Sequence, residues 1–89
     1  MTDVGAGVVV TIRYFAAARA AAGTAEEIVT LPLGTTVASG LKYLSAQHPD
    51  LVRVLECCSF LRDGIAVRDL EFELDSGQTL DVLPPFAGG

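Results

Sequence analysis

Residues Val8 to Phe15, VVVTIRYF, are β-branched or aromatic at nearly every position, and Val8, Val10, Ile12 and Tyr14 repeat at a period of two. That alternation puts one apolar row on one face of a strand. Something else in the chain must cover the row. Upstream, Met1 to Gly7 carries no pattern and is read as a flexible leader, residues 1–7. Downstream, Ala16 to Ala22 is alanine-rich and ends at Gly23, a natural helix stop, so a short helical connection follows the strand. Glu26 to Leu31 (EEIVTL) then reads as a second strand closed by Pro32 and Gly34.

The cover is the next segment. Thr35 or Thr36 is placed to accept a backbone N–H and start a helix. Val37, Leu41, Leu44 and His48 then fall on one helical stripe, and Pro49 stops it. Gly40 inside the helix costs about 1 kcal/mol relative to Ala, which suggests close packing at that point. Leu51 to Glu56 adds another turn. Ser59 to Arg62 and Ile65 to Arg68 flank Asp63-Gly64, a two-residue hairpin signal. Phe72 to Leu74 is expected to be a short strand before the turn Asp75-Ser76-Gly77, and Thr79 to Leu83 (TLDVL) a final one. The order predicts one α+β domain over residues 1–89: a mixed sheet packed on one main helix, with a returning last strand and a flexible C-terminal tail over 84–89. It resembles the plan of the ubiquitin-like β-grasp roll.

Charge narrows the function. The formal net charge is −5, and the cations Arg13, Arg19, Lys42, Arg53, Arg62 and Arg68 are scattered. Phosphate backbones need clustered cations, so nucleic acid is not an expected partner. The apolar stretches are too short to span a bilayer and none resembles a signal peptide, so a cytoplasmic location without membrane contact is expected. The acids gather late, as Asp63, Asp69, Glu71, Glu73, Asp75 and Asp81. They suit either a solvated face or steering toward a basic partner.

Ordinary catalytic constellations are missing from the pattern. His48 sits at a helix end, where the dipole favours it. No serine lies in a G-x-S-x-G setting, and Gly34 to Gly40 (GTTVASG) has no G-K-[ST] and is no phosphate loop. Glu71 and Glu73 on one strand face read as solvated acids. Cys57 and Cys58 are adjacent, without metal-ligand or C-x-x-C spacing, and read as small buried hydrophobes with a redox or persulfide role as the alternative. No catalytic residue, no metal ligand and no bound cofactor is expected.

The end of the chain is different: Leu83-Pro84-Pro85-Phe86-Ala87-Gly88-Gly89. Pro-Pro favours extended geometry and projects the end from the domain. Six residues at roughly 3.3 Å each reach nearly 20 Å. Gly88 and Gly89 carry no side chain, so they enter a channel too narrow for any Cβ and adopt any φ. The group delivered is the Gly89 carboxylate. ATP activates such a group as an acyl-adenylate, from which a sulfur nucleophile displaces AMP. The bland alternative is an idle end on an interaction module.

From Val8 onward the chain resembles the small, sulfur-carrying subunit family of molybdopterin synthase, relatives of the thiamine-pathway sulfur carrier and of ubiquitin. The resemblance lies in Phe15-Ala16 with Arg19 and Gly23, in Gly34-Thr35-Thr36-Val37, in His48-Pro49, and above all in the Pro-Pro-x-small-Gly-Gly ending. Phe86 departs from the smaller β-branched residue usual there, as do Ser76-Gly77 and Asp63-Gly64 from the usual Asp-Gly and Asn-Gly. The resemblance implies that a ubiquitin-activating-type adenylating enzyme, using ATP, adenylates Gly89. A sulfurtransferase then supplies sulfur to give a thiocarboxylate. The tail from Pro84 and Pro85 through Phe86, Ala87 and Gly88 inserts into the large synthase subunit, in a heterotetramer, and donates the sulfur to a pterin precursor. It further implies Phe15 and Leu83 as an apolar partner patch, with core burial as the alternative, and Arg19 as a contact to the adenylating enzyme. A carrier for thiamine or cysteine synthesis and a ubiquitin-like modifier of other proteins would use the same activated Gly89.

Overall fold

A computed structural model describes residues 7–85. The elements run β1 (Gly7–Tyr14), α1 (Ala16–Ala22), β2 (Glu26–Pro32), α2 (Val37–Gln47), α3 (Leu51–Leu55), β3 (Ser59–Arg62), β4 (Ile65–Ala66) and β5 (Thr79–Leu83). The sheet order is β2-β1-β5-β3-β4. β1 pairs antiparallel with β2 and parallel with β5, while β3 pairs antiparallel with both β5 and β4. The first and last strands thus lie side by side, in the mixed β-grasp roll expected from the sequence.

The core is the row that opened the sequence. Val8, Val10, Ile12 and Tyr14 are buried on one face of β1, beside Val29 and Leu31 of β2 and Leu80 and Val82 of β5. Val37 and Leu44 of α2, Leu51 of α3 and Ala18 of α1 close over them. Tyr14 carries its polar tip into this core. Its hydroxyl donates to Glu27 Oε2 at 2.6 Å, and His48 Nε2 lies 2.8 Å from the same oxygen. Burial, then the hydrogen bond and charge of Glu27, push the Tyr14 pKa well above the usual phenol range. A raised pKa favours the neutral folded form, so this contribution is complete below about pH 10 and fades as pH rises beyond it.

Several element boundaries differ from the sequence expectation. Gly7, read as leader, opens β1 opposite Pro32; residues 1–6 lie outside the described residues. Pro32 belongs to β2, an edge strand, where the missing N–H need not leave a gap in the sheet. β1 ends at Tyr14, one residue before the expected Phe15, which instead caps α1 next to Ala16 at φ 50°. Phe72 to Leu74 is no strand but a single bridge between Thr36 and Glu73. Its backbone serves the start of α2 instead. Phe72 and Leu70 carbonyls accept the Val37 and Ala38 N–H groups at 2.9 and 2.8 Å, satisfying donors that a helix start leaves free. Thr36 is the N-cap, its Oγ1 accepting the Ser39 N–H at 3.1 Å. The hairpin turn has φ 50° at Asp63 and 84° at Gly64, both positive as a type I′ turn requires, and its second strand stops at Ala66.

Gly40 is buried, but a Cβ built there would meet Leu74 Cδ1 at 3.4 Å and Leu31 Cδ1 at 3.7 Å, which are ordinary contacts. The close packing expected from its identity therefore leaves room for a methyl group. Gly40→Ala is expected to stabilise the domain by roughly 0.5–1 kcal/mol through helix propensity. Urea unfolding checks this, and a loss of stability would show that the methyl does not fit.

Candidate functional site

β5 carries the C-terminus out from the middle of the sheet. Tyr14 faces Val82 on one side, and Ser59 faces Leu83 on the other. The Phe15 N–H adds one more rung, donating to the Val82 carbonyl at 3.2 Å. Leu80, Val82 and Pro84 are all buried, so the inward period of β5 continues through the first proline. Pro84, counted with the tail on sequence, is thus part of the anchor. Pro85 is the first exposed residue. Measured from there, five residues at about 3.3 Å give a reach of roughly 17 Å rather than 20 Å. Phe86, Ala87, Gly88 and Gly89 lie outside the described residues.

The sheet face opposite the core surrounds this exit. Arg13 and Asp81 are cross-strand partners on it, with Leu61 opposite Asp81 from β3. Arg13 Nε stands 3.4 Å from Asp81 Oδ1, and the guanidinium lies 5.3 Å from the Phe15 ring centroid. The Asp81 side chain is only 14% exposed, and its Oδ1 has an ion-pair partner without a properly aligned hydrogen bond. Phe15 and Leu83 are half-buried and outside the core, at the root of the tail. Arg19 is exposed one turn along α1 from Phe15, beside a hollow formed with Ala16, Ala20 and Gly23. Phe15, Leu83 and Pro84 are therefore gathered at one place, and Arg19 stands near it.

The Arg13–Asp81 pair was not legible in the sequence. Both residues sit at outward positions of their strands, but only the parallel register makes them neighbours. Removing Arg13 alone strands a largely buried carboxylate. Arg13→Leu is expected to cost about 1–3 kcal/mol, whereas Arg13→Leu with Asp81→Leu should recover most of that loss. Unfolding midpoints of the single and double variants check the cycle; equal losses in both would deny the coupling.

The other candidates lie elsewhere. His48 ends α2 with its N–H on the Leu44 carbonyl and its ring on Glu27, a structural tie from α2 to β2. Cys57 is exposed, against the expectation of burial. Cys58 is half-buried, with its Sγ donating to the Val54 carbonyl at 3.1 Å. Burial, followed by neighbouring Cys57, pushes its thiol pKa up, away from the reactive thiolate. Glu71 and Glu73 are exposed and share no strand.

The model of the ThiS family matches residues 12–89. A molybdopterin synthase sulfur carrier subunit of Chlamydomonas reinhardtii is 32% identical over 81 residues, covering 90% of this chain and 98% of that protein. Among solved structures, a Pyrococcus furiosus protein assigned as molybdopterin converting factor, subunit 1, superposes with a TM-score of 0.82 at 26% identity, covering 89% of this chain and 99% of that one. The small archaeal modifier protein 1 of Methanosarcina acetivorans superposes with a TM-score of 0.80 at 26% identity, covering 93% and 98%.

Proposed function

Since the chain belongs to the ThiS family, we propose that it is a sulfur carrier of molybdopterin synthesis whose reactive group is the Gly89 carboxylate. The observation that carries this reading is the Gly88-Gly89 end, set directly after an anchored strand, in a chain similar along nearly its whole length to a molybdopterin synthase sulfur carrier subunit. The carboxylate oxygen attacks the α-phosphorus of ATP on a ubiquitin-activating-type enzyme, forming the acyl-adenylate and releasing pyrophosphate. A sulfurtransferase persulfide adds at the carbonyl carbon and expels AMP, and a thiol reductant then cleaves the acyl disulfide to leave a thiocarboxylate; free hydrosulfide would give the same product directly. The tail then enters the large synthase subunit, its sulfur bonds to the pterin precursor, and water cleaves the acyl–sulfur bond to return the carboxylate.

The domain's part in this is mechanical. Burial of Pro84 directly after β5 holds the tail root against the domain, and glycines at the tip suit a narrow channel. Phe15 and Leu83 beside the root provide apolar surface for either partner, and Arg19 a cation for the adenylating enzyme. A cytoplasmic location, where ATP and those partners would be met, is part of the same proposal. The test is intact mass after incubation with ATP, a molybdopterin-branch adenylating enzyme and a sulfide source. Replacement of one carboxylate oxygen by sulfur, with the sulfur then passed to the large subunit, is expected. Unchanged mass, with the enzyme active on its own carrier, would refute the reading.

A second reading has its own observation, the likeness to small archaeal modifier protein 1. The activated Gly89 would then be transferred to lysine amines. Peptides bearing Gly89 in isopeptide linkage would support it, and their absence from expressing cells would remove it.

A further inference from the structure

The edge of the sheet away from β2 carries a feature that the tail chemistry does not use. The Val67 N–H donates to the Phe60 carbonyl at 2.9 Å, continuing the β3–β4 ladder past Ala66. Phe60 and Val67 are therefore a hydrogen-bonded pair. Alternation makes Leu61 and Ala66 the non-hydrogen-bonded pair between it and the turn. The backbone N–H and C=O of Ala66 then point away from β3, off the edge of the sheet, with those of Arg68 next in the same direction.

Two hollows flank this edge, of about 290 and 430 Å³, and Ala66, Val67 and Arg68 line both. Arg62, Ile65, Asp69 and Phe72 also line the first, and Leu61 and Leu70 are among the residues that also line the second, so the charged lining is two arginines and one aspartate. Ile65, Leu70 and Phe72 are large apolar side chains left exposed. An extended chain places successive side chains on opposite faces, so a strand laid along Ala66 would fill one hollow and then the other. Charge selects its ends. Arg62 lies 4.1 Å from the Phe72 ring centroid, Arg68 is exposed, and among the described residues neither is in an ion pair. Asp69 is the one acid that lines a hollow, its Oδ1 accepting the Glu71 N–H, while Asp63, Glu71 and Glu73 lie in the same stretch but line neither. An acidic residue on the visitor would find these two cations.

We infer that the β4 edge is a docking site for an extended, apolar peptide segment of another protein, flanked by acidic residues, which pairs its backbone with Ala66 and sets alternate side chains into the two hollows. β4 is short, so few backbone rungs are gained and the hollows carry most of the selectivity. The site is separate from the chemistry of Gly89 and stands whichever pathway the carrier serves.

The probe is a short synthetic peptide of alternating valine and isoleucine with an aspartate at each end, titrated into the isotope-labelled full chain and followed by amide resonances. The Ala66 and Arg68 amides are expected to shift and to exchange more slowly with solvent. Ala66→Pro removes the outward N–H without taking a bond from the β3–β4 ladder, and it should weaken binding roughly tenfold. Arg68→Glu should do likewise should the proline disturb the hairpin. Three results would each overturn the inference: no shift at millimolar peptide, equal binding by the same peptide with N-methylated backbone, or shifts of these amides with protein concentration alone, which would mark a second copy of the chain.

Discussion

A single residue added after Gly89 is expected to abolish thiocarboxylate formation while leaving the unfolding midpoint unchanged. The extension turns the Gly89 carboxylate into a peptide amide and carries the terminal carboxylate about 3.3 Å beyond the position an adenylating enzyme reaches. The core cluster ends at Val82 and the last buried residue described is Pro84, so nothing described that holds the domain together is touched. Intact mass and thermal unfolding of the same sample separate the two effects. Gly88→Trp completes the test, because it keeps the carboxylate and changes only the width of the tip. It should lose transfer through steric exclusion in the partner's channel. Normal sulfur transfer by either variant would contradict a mechanism that runs through the end of the chain.

Leu44→Ala should give the opposite pattern, failing through the fold while the tip stays intact. Leu44 is 1% exposed, at the centre of α2 against the sheet. Truncating it loses the transfer energy of the removed atoms and leaves a cavity, together about 2–5 kcal/mol. A chain of this length has a total stability of roughly 4–13 kcal/mol, so the loss is a large fraction of it. The midpoint should fall by roughly 10–25 °C. Below that midpoint, thiocarboxylate formation should persist at near its normal rate, since Gly89 is unchanged. A midpoint within a few degrees of the parent would mean that α2 is not the lid of the core.

Much of this protein was written in local pattern. The period of two in Val8, Val10, Ile12 and Tyr14 became the buried row of β1, and the α2 stripe with its Thr36 cap and Pro49 stop became the covering helix. Both are set by neighbours along the chain, where steric and hydrogen-bonding preferences act over a few residues. The Gly-Gly end is legible for a related reason: its chemistry needs no other residue brought near. What failed locally failed for want of a partner. Phe72 to Leu74 has strand composition, yet its carbonyls and amides are used by the start of α2. Pro84 has tail composition, yet the inward period of β5 carries it into the domain. Tertiary structure alone set Arg13 against Asp81, joined Tyr14 to Glu27 and His48, and left the Ala66 edge open between two hollows. Each of these depends on which strands lie side by side and in what register. Register is decided by burying all the apolar rows at once, a condition on the whole chain that no short segment contains.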